Sequence, residues 1–164
     1  MRAAVLGGGP GGLNFAISLK LRDASHDVVV IERNKPDDTF GWGVVLSDET
    51  LGNLHTNDPV SSKAIRDSFV YWDDIAVHYR GAVMRSGGHG FSGIGRKRLL
   101  NILQDRARSL GVKIEFETEA APVDSYKDFD IVVGADGVNS RVRAAHADAF
   151  KPDIDVRACK YIWL

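Results

Sequence analysis

The chain has 164 residues, 44% hydrophobic and 26% charged, a length and balance typical of one globular domain. Its 21 basic and 22 acidic side chains give a net charge of -1, which argues against nucleic acid or an anionic membrane surface as a partner. No apolar run approaches the roughly 20 residues that span a bilayer. The single Cys159 excludes an internal disulfide and fits a reducing compartment, so we expect a cytoplasmic protein.

The first predicted elements form a strand, helix, strand unit. Residues 3–6 are an apolar run bounded by glycine, as in a strand buried on both faces of a parallel sheet. An apolar pattern with helical period follows as far as Arg22, and residues 28–31 form the second strand. A unit of this size takes a right-handed crossover by default, so the sequence predicts an α/β fold with a Rossmann-like βαβ sheet.

The middle of the chain is predicted to be less regular. Residues 34–48 are rich in glycine and acidic residues, which favours a long irregular loop in which Trp42 must pack on something. Four short elements are predicted after it: helices at residues 49–55 and 61–67, and the strands of an inserted β-hairpin at residues 75–79 and 83–85.

The second half returns to alternating helix and strand. An apolar side predicts a helix over residues 96–110, ended by Gly111. Three further elements are predicted after it: strands at residues 112–116 and 131–133, and a charged helix at residues 139–147. The apolar, strand-like run 160–164 then stops abruptly, so we expect the chain to be the N-terminal part of a longer protein with a larger two-domain fold.

A nucleotide-binding motif follows the first predicted strand. Gly7, Gly9 and Gly12 satisfy GxGxxG. In this motif the first glycine permits a tight turn, the second lets a pyrophosphate approach the backbone, and the third lets the helix pack closely on the sheet. Pro10 and Gly11 complete the segment that opens the helix, whose unpaired N–H groups favour an anion. We therefore take all five residues as candidate cofactor contacts.

Glu32 lies twenty residues after Gly12, at the end of the second predicted strand. Its carboxylate is expected to accept hydrogen bonds from both hydroxyls of an adenosine ribose and to repel a 2′-phosphate. Arg33 beside it is a further candidate cofactor contact. The fingerprint alone does not separate NAD from FAD.

Residues 130–143 resemble the strand-then-GADG segment of the single-component FAD-dependent aromatic monooxygenases. The resemblance implies that Asp136 lies near the FAD pyrophosphate and takes part in handling both FAD and NAD(P)H. Gly137, which follows it in the motif, is included with it as a cofactor contact.

A second resemblance to that family lies at the start of the predicted helix over residues 96–110. Arg96, Leu99 and Leu103 match its RxxLxxxL pattern, which implies that Arg96 reaches the FAD phosphates or ribityl chain. Arg98 is the competing candidate. An arginine at a helix start is otherwise unfavourable against the helix dipole, so a nearby anion would explain it.

Residues 41–46 and 160–163 look like one branch of the family, which contains the salicylyl-CoA and 2-aminobenzoyl-CoA hydroxylases and the violacein-pathway hydroxylase. The resemblance implies that residues 1–164 form an FAD-binding domain of an NAD(P)H-using enzyme. It would hydroxylate a small aromatic substrate through a flavin C4a-hydroperoxide. We expect an aryl-CoA thioester, with a tryptophan-derived aromatic as the alternative. The family's later GD segment and substrate sheet are absent, so we expect this chain alone to be inactive.

Other functions stay open on the residues themselves. Glu32 suits an NAD-dependent dehydrogenase equally well, although the GADG segment and Arg96 argue against it. A non-catalytic nucleotide-binding module is the third possibility.

Trp42 either packs near the flavin or anchors its own loop. The five histidines show no metal-ligand spacing, so no metal is expected, and no catalytic residue is assigned. The sequence does not decide whether NADH or NADPH is the reductant. It does not indicate the oligomeric state either.

Overall fold

The computed structural model describes residues 1–39 and 41–160. Its strands are β1 (Arg2–Leu6), β2 (Asp27–Ile31), β3 (Gly43–Ser47), β4 (Val70–Trp72), β5 (Ile75–Tyr79), β6 (Ala82–Ser86), β7 (Phe91–Gly95), β8 (Lys113–Glu115) and β9 (Ile131–Gly134). Its helices are α1 (Pro10–Arg22), α2 (Asp48–Asn57), α3 (Pro59–Arg66), α4 (Arg96–Ser109), α5 (Arg141–Ala145) and α6 (Ala147–Phe150), with a short 3-10 helix at Val123–Tyr126.

A four-stranded parallel sheet forms the framework and confirms the predicted α/β fold. Its strand order is β8-β2-β1-β9. Strand β1 pairs with β2 on one side, where Ala4 lies opposite Val29, and with β9 on the other, where Ala4 lies opposite Val132. From β1 the chain moves outward to β2 and β8 and then returns to the other side of β1 at β9. Ligands of open α/β sheets bind at such a switch in strand order, beyond the carboxyl ends of the strands.

One face of this sheet is buried by two helices. Alternate residues of β1, Ala3 and Val5, point into a core shared with α1 and α4. In α1 the fully buried residues Leu13 and Ile17 lie one turn apart on the face toward the sheet. The packing of α1 and α4 on the same core fixes the start of each helix relative to the ends of β1 and β2.

A smaller antiparallel sheet corrects the prediction of an irregular loop over residues 34–48. Residues 43–47 form β3, which pairs with β7, and β4 pairs with the other side of β7. Neither β4 nor β7 was predicted. Each of these strands is short and is stabilised by a partner far away in the chain. Its own few residues therefore give little indication that it forms a strand. The predicted hairpin is confirmed as β5 and β6.

The last predicted helix is also corrected. Residues 139–147 were expected to form one helix, but α5 ends at Ala145 and α6 begins at Ala147. His146, with φ -115° and ψ 28°, interrupts the helical backbone between them. The predicted strand 160–164 lies almost wholly outside the described residues, and its first residue, Lys160, is irregular. Within the described part of the chain, no helix is both long and apolar enough to cross a bilayer.

A buried ion pair ties α3 to α4. The guanidinium of Arg106 donates to Asp58 from Nε at 2.9 Å and from the terminal nitrogen at 3.0 Å. The Asp58 carboxylate, in a residue only 3% exposed, also accepts from the backbone of Val60 and Ser61 and so caps α3. The Asp58 side chain thus caps the start of α3 and also holds α4 in place.

Replacing Asp58 by alanine should strongly destabilise the protein. The change leaves Arg106 partly buried without its counter-charge and removes the cap of α3, so we expect the free energy of unfolding to fall by about 3–5 kcal/mol in urea titrations. The matched control Asp67→Ala breaks an exposed ion pair with Lys63 and should cost less than about 0.5 kcal/mol. Equal effects of the two changes would contradict the assignment.

The same pair should make stability depend on pH. Burial alone would raise the pKa of Asp58, but hydrogen bonds from Arg106 and Ser61 outweigh it and hold the pKa below its ordinary value. Because the folded pKa lies below the unfolded one, the contribution is complete above about pH 4 and is lost as the pH falls further. The stability difference between wild type and Asp58→Asn should therefore shrink below about pH 4. A constant difference would be the contrary result.

Candidate functional site

Main chain packs directly on main chain in the turn between β1 and α1. Gly7 has φ +118°, and a Cβ added there would lie 2.3 Å from the carbonyl oxygen of Ala135. A Cβ on Gly12 would lie 2.1 Å from the carbonyl oxygen of Gly7. By contrast, apart from its neighbours in the chain, no atom of the described residues lies within 4 Å of the Cβ position of Gly9. The turn is therefore tight on its inner side and open where a ligand would approach.

The N-terminus of α1 is left uncapped by side chains. Gly9 is its N-cap residue, Pro10 occupies its first turn, and no side-chain hydrogen bond caps it within the described structure. In contrast, Ser47 caps α2 and Asp58 caps α3. A helix start without a cap has unsatisfied N–H groups and partial positive charge, which suit a phosphate.

Glu32 is held close to this turn by three hydrogen bonds. Its Oε2 accepts from the N–H of Gly8 at 2.7 Å. Its Oε1 accepts from the backbone N of Asn34 at 2.8 Å and from Asn34 Nδ2 at 2.7 Å. A Cβ on Gly8 would lie 2.9 Å from the Cβ of Glu32, so glycine is needed at position 8 for this approach. The carboxylate at the end of β2 is thereby fixed beside the glycine turn.

Arg96 begins α4 and lines a cleft together with Gly8, Gly9 and Glu32. Its backbone N–H donates to the carbonyl of Trp42 at 3.1 Å, and no side chain of the described residues caps the helix. Its Nε is buried and has no hydrogen-bond partner in that part of the chain. A buried charged donor without an acceptor is costly, so the position suits an anionic ligand. The hydroxyl of Thr39, in the same cleft, is likewise buried and unpartnered there.

The cleft brings together some predicted residues and several that sequence reasoning missed. Its lining comprises Gly8, Gly9, Glu32, Asn34, Lys35, Asp38, Thr39, Arg96, Leu100, Gln104 and Phe116. Gln104 also donates to the carbonyl of Pro36 at 3.0 Å and so holds the segment after β2 against α4. Leu100 and Gln104 follow Arg96 at four-residue intervals, and this spacing is the signal that could have identified them.

Asp136 lies next to the glycine turn but does not line the cleft. A Cβ on Gly7 would be 3.0 Å from its backbone nitrogen. Its carboxylate accepts from Ser140 Oγ at 2.6 Å and from the backbone N of Arg141 at 2.6 Å. Burial opposes ionisation, but these hydrogen bonds and one from Val142 hold the pKa of Asp136 below its ordinary value. In this structure the side chain orders the start of α5.

The remaining predicted residues are exposed. Arg33 and Gly137 lie on the surface, the latter with φ +87° in the turn after β9. Arg98 donates from Nε to the hydroxyl of Ser68 at 3.2 Å and does not line the cleft. Trp42 is 86% exposed, which disfavours a role in anchoring its own loop. Among residues 1–39 and 41–160, no three His, Cys, Asp or Glu side chains are grouped as a metal site.

Comparison with known proteins gives a consistent set of relatives. A family profile described as "FAD binding domain" matches residues 1–130. The chain is 48% identical to salicyloyl-CoA 5-hydroxylase from Streptomyces sp, over 99% of this chain and 32% of that protein. It is 32% identical to protodeoxyviolaceinate monooxygenase from Chromobacterium violaceum, over 99% of this chain and 44% of that protein. The chain thus spans less than half the length of these relatives.

Two further comparisons extend this set. The chain is 30% identical to 3-hydroxy-4-methyl-anthranilyl-[aryl-carrier protein] 5-monooxygenase from Streptosporangium sibiricum, over 100% of this chain and 46% of that protein. The solved tetrameric form of 2-methyl-3-hydroxypyridine-5-carboxylic acid oxygenase superposes with a TM-score of 0.76 at 29% identity, over 88% of this chain and 41% of that one.

The two neighbouring glycines of the turn make a matched pair of variants. Gly12→Ala would force a methyl group against the Gly7 carbonyl, and we expect the free energy of unfolding to fall by about 2–3 kcal/mol. Gly11→Ala places its methyl group where, outside the adjacent turn of the helix, no atom of the described residues lies within 4 Å, so stability should stay within about 0.5 kcal/mol of wild type or rise. Urea titration checks both. Equal losses would show that the close contact at Gly12 is wrong.

Proposed function

This chain belongs to the FAD-binding domain family, and on that premise we propose that residues 1–164 bind FAD in the cleft between the glycine turn and α4. The observation that carries the proposal is the buried Nε of Arg96, which has no partner among the described residues and belongs to a side chain that lines the same cleft as Gly8 and Gly9. An anionic pyrophosphate would satisfy it.

The pyrophosphate is expected to lie over Gly9, where the backbone is open. The uncapped start of α1 would donate N–H groups to its oxygens from one side, and Arg96 would supply charge from the other. Two sources of positive potential then act on one anion without a lysine in the glycine turn. Asp136 would act indirectly, by fixing the segment that packs against Gly7.

The adenosine ribose would lie against Glu32. The hydrogen bonds from Gly8 and Asn34 hold the carboxylate before any ligand arrives, so little order has to be created on binding. A carboxylate at this position repels a 2′-phosphate. The arrangement is therefore suited to the adenosine of FAD, whose ribose carries no such phosphate.

We propose that the whole protein is a flavoprotein monooxygenase that hydroxylates a small aromatic substrate. When bound, FAD would supply the oxygen-activating redox chemistry, with NAD(P)H as the reductant. The names of two relatives specify thioester-type carriers, CoA in one and an aryl-carrier protein in the other. They support an aryl-CoA thioester as the substrate class. None of the relatives reported above is named as a dehydrogenase. Cysteine usage supports a cytoplasmic location.

Substituting Arg96 and Arg98 one at a time should show which of the two arginines contacts FAD. Arg96→Met removes the charged donor in the cleft, and we expect FAD to bind this chain about 10- to 100-fold more weakly. Arg98→Met, which removes the hydrogen bond to Ser68, should change the dissociation constant less than about twofold. Flavin fluorescence titration measures both. A larger effect at Arg98 would refute the assignment.

Turnover by the protein in its full natural form tests the activity. It would be mixed with oxygen, NADH or NADPH, and a panel of aryl-CoA thioesters alongside the free acids. We expect a thioester to stimulate NAD(P)H oxidation and to gain one oxygen atom, detected by mass spectrometry. Purified protein that takes up no FAD, or that consumes NAD(P)H without forming a hydroxylated product, would contradict the proposal.

A further inference from the structure

The hydrogen bonds already made by Glu32 limit what it can accept from a ribose. A carboxylate has about four lone-pair positions. Three are used by the backbone N of Gly8, the backbone N of Asn34 and Asn34 Nδ2, two of them at Oε1. One position remains, at Oε2. The sequence-based expectation that Glu32 accepts from both ribose hydroxyls therefore lacks an acceptor for one of them.

Asn34 has the missing acceptor. Because a carboxylate oxygen only accepts, the amide of Asn34 must face Glu32 with its nitrogen, which leaves Oδ1 for another donor. No donor in residues 1–39 and 41–160 hydrogen-bonds to Oδ1, and Asn34 lines the cleft beside Glu32 and Gly9. The residue that carries the free acceptor thus lines the cavity where a ribose would be bound.

The backbone around Asn34 is fixed in the same way as that of Glu32. The N–H of Thr118 donates to the carbonyl of Glu32 at 3.0 Å, and the N–H of Glu117 donates to the carbonyl of Asn34 at 3.2 Å. The two side chains are joined directly, because Nδ2 of Asn34 donates to Oε1 of Glu32 at 2.7 Å. Asn34 and Glu32 are therefore presented together, as one preformed pair.

We propose that Asn34 is a second ribose-binding residue, whose Oδ1 accepts one hydroxyl of the adenosine ribose while Oε2 of Glu32 accepts the other. The proposal rests on the proposed function, because it assigns that cleft to an adenine nucleotide. It makes recognition of the sugar depend on two side chains, each responsible for one hydroxyl. The class of ligand selected is a ribonucleotide with both hydroxyls free.

Binding of ADP, 2′-deoxy-ADP and 3′-deoxy-ADP to this chain, measured by calorimetry, tests the assignment. Wild type should bind each deoxy analogue about five- to tenfold more weakly than ADP. Asn34→Leu keeps the size of the side chain and removes its acceptor. In this variant one deoxy analogue should bind about as tightly as ADP, whereas the other should still bind about five- to tenfold more weakly than ADP. The control Asn53→Leu, on an exposed turn of α2, should behave as wild type.

A second variant distinguishes the loss of a ribose contact from misfolding of Asn34→Leu. Asn34→Asp removes the nitrogen donor but keeps an acceptor oxygen, so it should bind all three nucleotides more weakly and still discriminate against both deoxy analogues. If Asn34→Asp loses discrimination, the proposal is wrong.

The remaining outcomes separate this proposal from the one on which it rests. If Asn34→Leu loses discrimination against both analogues, Asn34 only positions Glu32, and its direct contact is refuted. If that variant loses neither, or if wild type does not distinguish the three nucleotides, Asn34 has no ribose contact. If wild type binds no ADP at all, the proposed function fails and this inference fails with it.

Discussion

The site depends on the contact of Gly7 with the backbone of Ala135 and with Gly12. At this point the end of β1, the start of α1 and the end of β9 meet with no side chain between them. A methyl group on either glycine would separate the elements. Their close packing places the uncapped start of α1 at the switch in strand order, where the polar groups of the cleft converge.

Each remaining part of the cleft is positioned by a separate contact with this framework. The carboxylate of Glu32 reaches the turn because Gly8 has no side chain. Arg96 is carried by α4, which is held to α3 by Asp58 and to the segment after β2 by Gln104. Glu32 and Arg96 therefore line one cleft before a ligand binds, which lowers the ordering cost of binding.

Local patterns were sufficient to predict the framework. The βαβ unit, α4 and the hairpin depend on short-range periodicity and on glycine, so residues such as Gly12 and Gly111 carried the information. The pairing of β3 and β4 with β7 could not be predicted, because each strand is stabilised by a distant partner. The break at His146 is also a local feature of the backbone that the charged sequence did not indicate.

The candidate site was only partly predictable for the same reason. Glu32 and Arg96 follow motifs, whereas Thr39 and Gln104 face the cleft because of how α4 packs on the segment after β2. The capping of α5 by the Asp136 side chain could not be predicted from its motif. Spare hydrogen-bonding capacity, such as that of Asn34, becomes visible only when every partner of Glu32 is known.

The central claim is that an adenine dinucleotide binds over the glycine turn. The most direct test is the amide spectrum of the ¹⁵N-labelled chain, recorded by NMR while ADP is added. We expect the largest shifts at the amides of Gly8, Gly9 and Gly11, with smaller ones at Glu32 and Asn34. Unchanged glycine amides, with shifts instead at the surface pocket of α1 lined by Asn14, Ser18 and Arg22, would contradict it.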